Sequence, residues 1–185
     1  MDEKTKILGG IGSILLVLGI IPYIGLLFSL VGFISLLIAV KQISNQYKDE
    51  NIFRNFLTGF IINIAGMIIA IVAAVSTFIP FASLSNIDKD TALGLGAIVG
   101  ISVALLVFYI TAVISGLLFK KAFDSISKIT NNDLFGWAGN LIFWGSIAMI
   151  ILLGGILIWI GWILAAIAFF TTETNKDITE TAITL

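Results

Sequence analysis

The sequence predicts an all-α, polytopic helical membrane protein of about six transmembrane helices, in the order short, short, long, long, short, short. Three observations predict it. The chain of 185 residues is 59% hydrophobic and only 11% charged, with a mean hydropathy of +1.13, whereas soluble domains are about 25% charged. None of its 10 basic and 11 acidic side chains falls inside the four long apolar runs, residues 7–40, 56–79, 92–119 and 136–169. A charge at mid-bilayer costs at least about 2.5 kcal/mol, so this placement fits a lipid environment and argues against a proton pump or voltage sensor. The third observation is the length of the runs.

At 1.5 Å per residue, a hydrocarbon core of about 30 Å takes about 20 residues. As one helix the first run, 7–40, would be about 51 Å long, so it folds back. Pro22 removes a helical donor and Gly25 follows it, which places a tight turn around Pro22 and Tyr23 and gives spans of 7–21 and 23–40. The run follows Lys4 and Lys6, as a signal peptide would, but the first alanine is Ala39 and no small-residue cleavage site follows. It therefore reads as a retained first helix. Runs 56–79 and 92–119 are each one generous span, tilted or reaching past the membrane surface. The last run repeats the problem of the first, with Gly154 and Gly155 at the turn, giving 136–153 and 155–170. Residues 1–170 thus form one helical membrane domain. The polar, Thr-rich and acidic tail, 171–185, reads as disordered and cytoplasmic.

Charge orients the bundle. Six spans place Lys4, Lys6, Lys41, Lys48, Arg54, Lys120, Lys121, Lys128 and Lys176 on one side and Lys89 alone on the other. The positive-inside rule makes the first side cytoplasmic, with both termini there, in a cell membrane. A four-span arrangement splits the same charges less cleanly.

Within the bundle, the two outer runs align without gaps at an offset of 129 residues, matching Gly10 with Gly139, Gly25 with Gly154, Gly32 with Gly161 and Ala39 with Ala168. Such matches fit either a duplicated helical hairpin or shared membrane composition. Small residues recur at helical spacing: Gly25, Ser29, Gly32, Ser35 and Ala39 in the second span, and Gly59, Asn63, Gly66, Ala70, Ala73 and Thr77 in the third. In lipid, close backbone approach at such seams supplies the packing. They serve either the bundle itself or, as with Gly96 and Gly100, a partner subunit or second copy. The loop segments 41–55 and 120–132 carry apolar residues at spacings compatible with short interfacial helices, which either finish the bundle or recognise lipid.

Little chemistry is available. The chain has no cysteine and no histidine, which removes disulfides, thiolate chemistry, the commonest metal ligand and the commonest general base. No catalytic, cofactor-binding or metal-binding residue is assigned. Asp49 with Glu50, and Asp88 with Asp90, are paired carboxylates in short hydrophilic loops, where a solvated face is the simpler reading than a metal site. No Walker loop is present, and Gly94-Leu95-Gly96 sits in a membrane span with no strand before it. A net charge of -1 offers no basic face to nucleic acid. The candidate polar intramembrane positions are Asn63, Asn140, Thr111 and Ser115, with Ser13, Ser76, Ser102 and Ser146 as milder cases. A buried amide needs a partner, so paired packing is the default, and a polar path for a small solute is the alternative.

The segment Ile7-Leu8-Gly9-Gly10-Ile11-Gly12-Ser13, then Pro22, Gly25 and Gly32, then Ile38-Ala39-Val40-Lys41-Gln42-Ile43-Ser44 and Ile52-Phe53-Arg54-Asn55, resembles domain of unknown function family 996. The stretch from Ala138-Gly139-Asn140 to Ile163-Leu164-Ala165-Ala166-Ile167-Ala168-Phe169-Phe170 is similar to the ending of that family. The resemblance implies a small, chiefly archaeal multi-pass membrane protein, and no activity or ligand. The expected function is a non-enzymatic accessory, assembly or scaffold subunit that engages the lipid bilayer and a homo-oligomer or membrane-complex partner. The alternative is a small channel or transporter for a neutral or weakly polar solute.

Overall fold

The computed structural model describes residues 1–82, 89–151 and 153–173, and these are helical with no strand. The six α-helices are α1 Glu3–Leu18, α2 Gly25–Tyr47, α3 Glu50–Ala82, α4 Lys89–Thr130, α5 Asp133–Ala148 and α6 Gly154–Thr171, with a 3-10 turn at Met149–Ile151. The second to sixth are long and apolar enough to cross a membrane; α1 has 16 residues. The order of short and long helices is as the run lengths predicted. Of the tail, 171–185, residues 174–185 lie outside the described residues.

Each helix packs on its neighbours in the chain, and α6 returns to α1. The turn at Pro22 and Tyr23 is where proline placed it, between the end of α1 and the start of α2. The expected interfacial helices are not separate elements. Residues 41–47 and 50–55 are the last and first turns of α2 and α3, and α4 runs unbroken through 120–130.

What joins these helices is a two-residue link used twice. Lys48 and Asn131 adopt left-handed φ of 56° and 51°, and the next amides close back onto the helix, Asp49 N–H to Ser44 O at 3.1 Å and Asn132 N–H to Ser127 O at 3.2 Å. This satisfies helix-end carbonyls that would otherwise lack a donor. A left-handed lysine is strained by its Cβ, so Lys48→Gly is expected to stabilise the fold by up to about 1 kcal/mol, net of glycine's greater freedom when unfolded. A rise in the midpoint of tryptophan-monitored thermal unfolding in detergent would show it.

The core lies at this linked end. Phe56, Phe123, Phe135, Phe169, Ile43 and Ile52 are fully buried. Their rings interlock: Phe56 with Phe119 at 5.0 Å between centroids, Phe135 edge-on to Phe169 at 4.9 Å, and Phe123 between Phe135 at 6.1 Å and Trp162 at 6.0 Å. Such tilted and edge-to-face pairs add stabilisation beyond area burial.

Away from that end the seams are made of small residues, and they close within the chain. A Cβ added to Gly32 would lie 2.8 Å from the Gly12 carbonyl oxygen; at Gly59 one would lie 3.2 Å from the Leu118 and Phe119 side chains. Gly96 and Gly100 are buried as well.

The two short hairpins share this seam but not the gapless register. Gly19 faces Gly25 at the first turn and Gly145 faces Gly154 at the second, while Gly32 meets the Gly12 carbonyl and Gly161 the Ala138 carbonyl. The second helices therefore correspond at an offset of 129 residues, as expected, but the first helices at 126, pairing Gly10 with Gly136 and Gly19 with Gly145. The reason is the connection. The second hairpin carries the extra 3-10 turn Met149–Ile151 before α6, so its turn lies just ahead of Gly154 and not on Gly154 and Gly155.

Candidate functional site

Three of the four predicted polar positions meet at the seam between α3 and α4. Ser115 is buried, and its Oγ donates to the Gly59 carbonyl at 2.8 Å, tying the two helices together. One turn along α4, Thr111 Oγ1 donates to Val107 O and Phe108 O of its own helix, both at 3.0 Å, and a Cβ on Gly66 would strike its side chain. Asn63 belongs to the same face of α3 by its spacing between Gly59 and Gly66. Asn140 stands apart on α5. Asn63 and Asn140 are half-buried, and among the described residues neither side chain makes a hydrogen bond to another protein group. The pairing expected of these amides is thus not made within the chain.

Three of the four milder hydroxyls are spent on backbone. Ser13 donates to Gly9 O at 2.9 Å, Ser102 to Ile98 O at 2.8 Å and Ser146 to Ile142 O at 2.8 Å. A hydroxyl bonded to the carbonyl four residues back is satisfied inside its own helix and offers little to a solute.

The polar groups that are brought together lie at the linked end of the bundle, where sequence reading had assigned no site. Asn132 caps α5, its Oδ1 accepting from Leu134 N–H at 3.1 Å. Its Nδ2 donates to Ala168 O at 3.1 Å, Thr171 Oγ1 at 3.2 Å and Thr172 Oγ1 at 3.0 Å, reaching across to the last turn of α6. The N-terminal ammonium of Met1 donates to Glu173 O at 2.9 Å, so the start of the chain is tied to the segment just after α6. Beside them, Thr5 Oγ1 donates to Gln42 Oε1 at 2.7 Å, joining α1 to α2. Around this clasp is a concave space of about 660 Å³ whose lining includes Tyr47, Asn131, Asp133, Trp137 and Glu173. Only the cap has a local signal: Asn132-Asp133 immediately precedes an apolar run, which is a helix-start pattern.

The clasp positions helices; its donors and acceptors are already engaged with one another. Among the described residues no group of three or more His, Cys, Asp or Glu could hold a metal ion. Asn132→Ala removes the cap and three donated bonds, so it is expected to cost about 2–3 kcal/mol. Asn132→Asp keeps the cap acceptor and should fall between Asn132→Ala and the native chain in the same unfolding measurement.

A closed ring of six apolar helices, five of them long and apolar enough to cross a membrane, defines a polytopic α-helical membrane protein. The family described as Protein of unknown function (DUF996) matches residues 28–163, and the chain is 34% identical over 170 residues to an uncharacterized protein of Methanocaldococcus jannaschii, MJ1644, covering 91% of this chain and 92% of that one. The chain belongs to the DUF996 family. The family match includes the stretches from Ile38 and Ile52 and most of the C-terminal similarity; Pro22, Gly25 and the glycine-rich start at Ile7 lie before it. No solved structure matches the chain.

Proposed function

We propose that this protein is a non-enzymatic accessory, assembly or scaffold subunit of the cell membrane, with both termini cytoplasmic. The observation that carries the reading is a close-packed centre. The helices meet on interlocked rings and glycine seams, and the buried hydroxyls of Ser13, Ser115 and Ser146 are bonded to backbone. Such an interior supports a rigid body better than a path for a polar solute. Orientation follows from the described basic residues, eight on the linked side against Lys89 on the other.

The test is amine-reactive crosslinking of the tagged protein in the membrane of its own cells, followed by mass spectrometry. Lys4, Lys6, Lys41, Lys48, Lys121 and Lys128 supply reactive amines on the linked side. A stoichiometric partner protein is the expected result. Capture of no partner, with the purified chain monomeric, overturns the reading.

A channel or transporter for a weakly polar solute is the second reading, favoured by the unpaired amides of Asn63 and Asn140. It predicts that Asn63→Leu abolishes solute uptake by reconstituted vesicles, and unchanged uptake removes it.

A further inference from the structure

We propose that the turns of both short hairpins end inside the hydrocarbon layer, so that α1–α2 and α5–α6 enter and leave on the linked side and only α3–α4 carries the chain across.

Depth along α4 is the first argument. The tip of the second hairpin, Met149 and Ile150, lies beside Leu105, Leu106 and Tyr109, and the Tyr109 hydroxyl donates to Ile147 O at 3.2 Å. Lys120 and Lys121 are the first charges met at the other end of the apolar stretch of α4. From Lys120 to Leu105 is about 22 Å of helix, short of a core of about 30 Å. From Leu105 to Lys89 α4 continues for about 24 Å more. In the first hairpin, Lys6 to Leu18, the last residue of α1, is about 18 Å. The tips stop where lipid continues, and the long hairpin goes on.

The second argument is what the tips are made of. Residues 18–28 and 149–159 contain no charged side chain, and the turn residues stand outward: Ile20 is 75% exposed, Tyr23 fully so and Ile150 75%. A turn facing water is ordinarily polar. Exposed isoleucines continuous with the outward apolar faces of α2 and α6 are matched by one occupant, acyl chains.

The third argument is that several backbone groups at the tips are satisfied by the protein itself. Gly19 N–H donates to Leu16 O at 3.1 Å, Ile21 N–H to Leu18 O at 3.1 Å and Gly25 N–H to Ile21 O at 2.8 Å. Two further end carbonyls accept from aromatic side chains of other helices: Val17 O of α1 from Trp159 Nε1 at 3.0 Å, and Ile147 O of α5 from the Tyr109 hydroxyl. In water the solvent would satisfy these carbonyls; in hydrocarbon each must find a partner in the protein.

The chain has no cysteine, so single-cysteine variants of the full-length protein test the proposal directly. Tyr23→Cys, Ile20→Cys and Ile150→Cys would be compared with Lys48→Cys and Lys89→Cys by membrane-impermeant maleimide labelling of right-side-out and inside-out vesicles. The expected result is that Lys48→Cys labels in one orientation and Lys89→Cys in the other. The three tip thiols, unionised in lipid, should react about tenfold or more slowly in both orientations, yet fully in denaturing detergent. Labelling of Tyr23→Cys and Ile20→Cys, or of Ile150→Cys, from the Lys89 side at the rate of Lys89→Cys overturns the proposal. Using two positions in the first turn guards against one variant reporting its own misfolding.

Discussion

Alanine at Gly25 or at Gly154 is expected to destabilise the protein by about 3 kcal/mol or more, while alanine at Gly155, one residue along, should leave it unchanged or up to about 1 kcal/mol more stable. At Gly25 an added Cβ would fall on the Gly19 carbonyl, and at Gly154 on the Gly145 carbonyl and the backbone of Met149. Backbone at a tight hairpin cannot swing aside as a side chain can, so the two helices must part, and every seam contact below them is strained. At Gly155 nothing lies within 4 Å of the added atom, and alanine is the better helix former. Gly10 is a useful intermediate, because its obstacle is the ring of Phe170, which is partly exposed and free to shift. Tryptophan-monitored unfolding of the four variants should therefore order them Gly155→Ala, Gly10→Ala, then Gly25→Ala and Gly154→Ala. Equal stability of Gly154→Ala and Gly155→Ala would show that the hairpins do not close on their glycines.

The same two glycines show how much of this fold the sequence displays. Run lengths and Pro22 were enough to locate two folded-back hairpins and a long central pair, because helix rise and bilayer thickness are fixed lengths. Placing the second turn on Gly154 and Gly155 treated glycine as a marker of flexibility. In the structure Gly154 is required for close approach, and the turn is built ahead of it from Met149–Ile151. A 3-10 turn of apolar residues carries no composition signal, which is why the offset of 129 residues looked continuous through α5 when it holds only for α6. Helix spacing put Asn63 on a face of small residues, but it could not tell that Ser115 would bond Gly59 on that face and Thr111 its own helix. The clasp at Asn132 needed knowledge that α6 ends beside the start of α5, a tertiary fact absent from any local pattern.

Phe123→Ala should be the most damaging change among the core side chains, at about 3–5 kcal/mol. The ring touches Phe56, Phe135 and Trp162, drawn from α3, α5 and α6, and a Cβ on Gly139 would lie 3.0 Å from Phe123 Cβ. No neighbour can fill the space left, since those helices are already pinned by the links at Lys48 and Asn131. Ile61→Ala, within two turns of Phe56 on α3 but outward-facing and 55% exposed, should stay within about 0.5 kcal/mol of the native chain. The contrast follows from the solvent. On a lipid-facing surface a side chain gains little from hydrophobicity, because acyl chains are as apolar as isoleucine, so stability resides in interlocked packing and not in apolar area. If Ile61→Ala cost as much as Phe123→Ala, helix association would track apolar area, and the packed aromatic centre would lose its role in holding the ring closed.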